Sequence, residues 1–160
     1  RKVIGSVRLS TRPDYIDEER LVCNNISSKE LKYASRSLED LVAEIDSTFA
    51  ESLFKYIDDK GLTDPEVYKR ANLDRKLFSK IRKNKNYKPS KNTALALAVA
   101  LELNLDETKD FIGKAGYALT RSSKMDIIVE FFILQGNYDI LELNEVLFYY
   151  EEPLLGSNVA

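Results

Sequence analysis

A dense block of cations is the feature of this sequence most able to do chemistry. Residues 69–91 carry Lys69, Arg70, Arg75, Lys76, Lys80, Arg82, Lys83, Lys85, Lys88 and Lys91 against one acid, Asp74. Ten bases and one acid make that window +9, while the other 14 bases and 25 acids make the rest −11. The net charge of −2 therefore averages two unlike regions. Apolar residues recur at helical spacing inside the block, which makes it a candidate surface for phosphate. The bland alternative is a solvated charged face.

Most other chemistries lack their residues. The chain has no histidine, which removes the commonest general base and metal ligand and any Ser-His or Cys-His pair. One cysteine, Cys23, excludes an internal disulfide framework and a thiolate zinc site. There is no Gly-rich phosphate loop and no nucleophile beside a base. Acids such as Asp58, Asp59, Glu151 and Glu152 come in runs at helix ends, as solvated faces do. The expectation is a chain that is not an enzyme, with no catalytic residue, no metal and no cofactor.

The elements that must position the block read as helices. With 160 residues, 44% of them hydrophobic, the chain is long and apolar enough for one domain with a real core. No apolar run approaches the ~18 residues of a membrane span. Residues 1–36 read as an arm, a linker or the tail of an upstream domain, with one short strand suggested by Val3, Val7 and Leu9. The chain opens on Arg1 and not on Met, which suggests a piece of something longer.

From Ser37 the periodicity is helical. Ser37 and Asp40 resemble a capping box, and Leu38, Leu41, Ile45, Phe49, Leu53 and Tyr56 continue one stripe to Gly61. That predicts a first helix of about 23 residues. A short second helix starts at Thr63 with Pro65 in its first turn. A third follows the Asp74 cap, with Leu77, Phe78 and Ile81 inward. Ser90 caps a fourth, which is apolar nearly all round and is predicted to be central and buried. Asp106 is expected to cap a fifth, Ser123 and Asp126 to start a sixth, and Asp139 with Glu142 to start a seventh that Pro153 ends. The fold class expected is all-α, with about seven helices. The helical domain is expected over residues 37–155, followed by a tail at 156–160.

Within this order lies a resemblance. The signals are Thr63 opening one helix, Ala71 inside it, and Leu73-Asp74 as a turn. Next come Leu77-Phe78-Ser79-Lys80-Ile81, then Lys88-Pro89-Ser90, then the apolar run from Ala94 to Leu101, then Leu105-Asp106-Glu107. Residues 63–116 resemble the phage-repressor-like (Cro-type) helix-turn-helix family. The family places Gly just after the third helix, where φ is positive, and Asn84 is the expected occupant here. A further departure is the acidic Asp64-Pro65-Glu66 at the start of the second helix. The sixth and seventh helices lie outside the resemblance.

The resemblance implies a sequence-specific DNA-binding module, a transcriptional regulator reading the major groove with the helix 75–83. It implies that Arg75, Lys76, Ser79 and Lys80 face bases. It places Thr63, Arg82, Lys83, Lys85, Asn86 and Lys88 near phosphates. The implied partners are double-stranded DNA and a second copy of the chain, because one helix reads few base pairs alone. No membrane partner is expected, and the cysteine content fits the cytoplasm. The alternative is a protein-interaction or regulatory domain appended to an upstream effector or enzyme, with the helix-turn-helix kept as scaffold.

Two aromatic features stand apart. Tyr87 is placed either to stack on a base or to pack on the domain. The last two helices carry Phe131, Phe132, Tyr138, Phe148, Tyr149 and Tyr150, which suit either a core or a self-association surface. Those helices are expected to cover the stripe of the first helix and to leave Phe148, Tyr149 and Tyr150 exposed.

Overall fold

Polar caps decide where each helix begins. The computed structural model describes residues 36–156. Among them are eight helices and no strand: α1 (Leu38–Ala43), α2 (Phe49–Asp59), α3 (Asp64–Arg70), α4 (Arg75–Lys83), α5 (Lys91–Ala100), α6 (Leu105–Gly113), α7 (Lys124–Leu134) and α8 (Ile140–Tyr149). The fold is all-α. The suggested strand at Val3, Val7 and Leu9, and Cys23, lie outside the described residues.

The expected first helix is two. Ser37 caps α1 as predicted, accepting from the Asp40 N–H at 3.2 Å. The helix then stops at Glu44, and Thr48 begins α2 with a full capping box to Glu51. Asp46-Ser47-Thr48 supplies three residues that bond their own backbone better outside a helix than within it. That local preference overrides the stripe, and Ile45, expected to face inward, is exposed. The chain divides at Asp46/Ser47 into two units, each taken by itself. Of the first, the described part is α1 and its flanks, with an Arg36–Glu44 ion pair.

In the second unit α5 is the centre. Residues 93–100 are all buried, as its unbroken apolar run predicted. It packs on α3, α6 and α8. Phe111 of α6 meets Phe49 at 4.4 Å and the edge of Tyr56 at 5.9 Å, so α6 covers α2. This corrects the expected role of the last two helices. α7 and α8 pack on each other and cover mainly α6 and α5. A second correction concerns α6, which is capped by Asn104 in a box with Glu107, two residues earlier than Asp106.

Asn92, Asn144 and Asn72 anchor the chain after α8. Asn144 and Leu155 bond reciprocally, at 3.0 Å and 2.7 Å. The Gly156 N–H donates to Asn92 Oδ1 at 2.9 Å, and Asn72 Nδ2 reaches the Leu155 carbonyl at 3.4 Å. Leu155 is fully buried. Residues 153–156 are thus a strap over the unit, although Gly156 was expected to begin a tail.

Buried Asp126 ties the start of α7 to the start of α5. Its Oδ2 accepts from Lys91 Nζ at 2.7 Å and from the Thr120 N–H at 2.9 Å. Its Oδ1 has no hydrogen-bond partner. No helix among the described residues is long and apolar enough to cross a membrane.

Candidate nucleic-acid interface

Two short helices and a tight turn present the cationic block. Thr63 starts α3 by accepting from the Glu66 N–H at 3.4 Å, while Glu66 Oε2 accepts from the Thr63 N–H and hydroxyl, both at 2.8 Å. The Thr63 backbone N–H and then its hydroxyl hold the Glu66 carboxyl below the usual carboxylate range. The helix ends at Ala71, and Asn72 adopts φ 55°. The Leu73 N–H returns to the Tyr68 carbonyl at 2.8 Å and the Asn72 N–H to Lys69 at 3.1 Å, a Schellman turn with asparagine in the left-handed position. Asp74 then caps α4, accepting from the Lys76 N–H at 3.0 Å.

The inward face of α4 fixes its rotation. Phe78 and Ile81 are buried. Phe78 sits 5.8 Å from both Phe54 of α2 and Tyr68 of α3, which anchors α4 to two neighbours. The opposite face follows from helical geometry. Arg75, Lys76, Ser79, Lys80 and Lys83 together line a shallow open hollow, and all five are exposed. Four of the expected base-facing residues and one of the expected phosphate-facing residues are therefore one surface. Lys85, Asn86 and Lys88 are exposed in the loop that follows.

Two expected roles change in detail. Arg82 commits its guanidinium within the protein: its Nε and Nη2 donate to the two carboxylate oxygens of Asp64, each at 2.7 Å. The guanidinium carbon lies 3.9 Å over the Phe54 ring. The planar fork of arginine suits this bidentate grip, and lysine would not reproduce it. Asn84 has φ −129° and not the expected positive φ. Its N–H completes the last turn of α4 and its Oδ1 accepts from the Asn86 N–H at 3.0 Å, so a side-chain turn does the work of a left-handed residue. The positive φ falls instead at Asn72.

The acidic start of α3 is also quieter than its sequence suggests. Asp64 is paired with Arg82, and Glu66 folds back on Thr63. Tyr87 packs against the core and not outward as a stacking platform. The asparagine strap and the Lys91–Asp126 pair were missed by sequence reasoning, since partners 11 to 83 residues apart leave no local signal.

The arrangement offers long cations and a hydroxyl on a rigid, exposed helix face beside a loop with two more lysines. It suits a polyanion with regularly spaced charges. A second hollow, rimmed by Arg70, Glu102 and Asp139 near the α7–α8 loop, mixes both signs and selects for none. Among the described residues no cluster of acids could hold a metal ion. No family model, curated protein or solved structure matches the chain.

Proposed function

We propose that this chain is a sequence-specific DNA-binding module of the helix-turn-helix kind, serving transcriptional regulation, with α4 as the helix that enters the major groove. The observation that carries the reading is the single exposed face formed by Arg75, Lys76, Ser79, Lys80 and Lys83. A B-form major groove is about 12 Å wide and admits one helix. Arg75 and Lys76, in the first turn, are placed to reach base edges, with Ser79 and Lys80 behind them. Lys83, Lys85, Asn86 and Lys88 are placed for phosphates, whereas Thr63, whose N–H and hydroxyl both donate to Glu66, keeps no donor for one. Arg82 serves indirectly, by neutralising Asp64 where a phosphate would pass. Two copies are required, because one helix reads too few base pairs for a specific site.

The test is a titration of duplex DNA at low salt, followed by selection of a best site. Arg75→Ala is expected to cost roughly 1–3 kcal/mol on the best site and to relax one base position. Equal losses on selected and random duplex would assign Arg75 to phosphate. A folded protein that binds no duplex at low salt would overturn the reading and leave the protein-interaction alternative.

A further inference from the structure

The loop after α4 carries Lys85 and Lys88, and its far end is tied to a residue that the DNA-binding reading does not use. Helix α6 ends in a Schellman turn: the Tyr117 N–H returns to the Ile112 carbonyl at 3.0 Å and the Gly116 N–H to Gly113 at 2.9 Å, with Gly116 at φ +87°. Beyond that turn the Tyr117 hydroxyl donates to the Pro89 carbonyl at 2.7 Å, across 28 residues of chain. Lys88, one residue before Pro89, leans the same way. Its Nζ lies 5.9 Å from the centre of the Tyr117 ring, inside the ~6 Å reach of a cation–π contact. The same Nζ sits over Gly116, where a Cβ would lie 3.7 Å from it, at the end of α6 that favours a cation.

Tyr117 is itself held in place. It is half-buried and packs against the core. Three residues on, the Thr120 N–H donates to Asp126 Oδ2 at 2.9 Å, and that oxygen also accepts from Lys91 Nζ at 2.7 Å. Residues 117–120 are thus fastened to residues 89–91 at both ends, directly by Tyr117 and through Asp126. At the near end of the loop, the Asn86 N–H donates to Asn84 Oδ1 at 3.0 Å and the Tyr87 N–H to the Asn84 carbonyl at 2.9 Å. The backbone is pinned on both sides of Lys88, while the Lys85 and Lys88 side chains stay exposed.

We infer that Tyr117 is a positioning residue for DNA binding: its hydroxyl fixes the backbone beside Lys88 and its ring supports the lysine stem, so that the ammonium is in place before a phosphate arrives. The inference rests on the reading of α4 and its loop as the DNA-binding surface, and deepens it.

The physical effect is pre-organisation. A long lysine that must be ordered on binding lowers affinity, and one already ordered does not. Tyr117 supplies no cation, so losing its bond to Pro89 weakens binding without changing how many phosphates are neutralised. Losing Lys88 changes both.

The experiment is a double-mutant cycle between Tyr117→Phe and Lys88→Ala in the full chain, read as duplex affinity over a salt series, with circular dichroism to show that each variant is folded. Phenylalanine keeps the ring and removes the bond to Pro89. Tyr117→Phe is expected to weaken binding about three- to tenfold and to keep the wild-type salt slope. Lys88→Ala is expected to make the slope shallower by about 0.9. In the Lys88→Ala background, Tyr117→Phe is expected to bring no further loss, because both changes act on one contact. In the Arg75→Ala background its loss is expected to persist in full. Wild-type affinity in Tyr117→Phe overturns the inference and leaves the DNA-binding reading standing. So does an undiminished loss in the absence of Lys88, or a Tyr117→Phe chain that does not fold, since either makes the bond purely structural. A wild-type chain that binds no duplex overturns the reading and this inference together.

Discussion

Asp126 and Gly156 show how single residues hold the platform behind the cationic face. The Asp126 carboxylate is 1% exposed, and Lys91 is its charge partner. Removing one member of a buried pair leaves an uncompensated charge, at a cost of about 3–5 kcal/mol. Lys91 is only partly covered, so Lys91→Ala is expected at about 3 kcal/mol by denaturant unfolding. A change within 0.5 kcal/mol, the size of an ordinary surface substitution at about that level, would mean that water replaces the lysine freely. Gly156 has φ +99°, and a Cβ there would lie 2.4 Å from the Asn72 carbonyl oxygen. Gly156→Ala must therefore lift the strap or distort the α3–α4 turn. Lifting the strap exposes Leu155, worth about 2 kcal/mol. Unfolding of Gly156→Ala should match that of a chain truncated after Glu152, and a wild-type midpoint would show that the turn yields. At this scale the sequence was legible where partners are near. Thr63, Asp74 and Ser90 are polar residues ahead of apolar periodicity, and all three cap. Arg82 was not legible, because Asp64 is eighteen residues away and nothing local marks the pair.

Among the helices, α2, α3 and α6 start in full capping boxes, three of the eight in the described residues. The boxes of α2 and α3 also carry a pH dependence. The Thr48 backbone N–H, followed by its hydroxyl, holds Glu51 below its ordinary pKa, and Thr63 does the same for Glu66. A depressed folded pKa gives stability that is complete above the unfolded value of about 4.3 and is lost as pH falls through it towards the folded value. The double variant Glu51→Gln, Glu66→Gln should melt below wild type near neutral pH. The gap should close between about pH 5 and 3. A gap of constant size across that range would show that the carboxylate charge contributes nothing. Helix α5 was legible because eight successive buried residues leave no polar face. The gap between α1 and α2 was not, because Ile45 keeps the spacing of the stripe while Asp46-Ser47-Thr48 ends it. Periodicity reports which residues share a face only if the helix runs through. Capping chemistry decides whether it does.

For the molecule as a whole, the charge block and the fold are one design: the inward Phe78 and Ile81 hold α4 so that its cations turn outward together. The sequence showed that face because both patterns share the same nine residues of α4. It could not show that Ile127, Phe131 and Leu134 of α7 stay exposed, since apolar residues all round a helix do not tell which side the core takes. The central claim is that the α4 face and its following loop neutralise DNA phosphates. The most direct test measures log affinity for duplex DNA against log salt, for wild type and for Lys83→Ala, Lys85→Ala. With about five phosphates neutralised, the wild-type slope should be near −4.5. The double variant should lose up to about two units of slope and keep the same preferred sequence. A slope that does not change on removing both lysines would contradict the account.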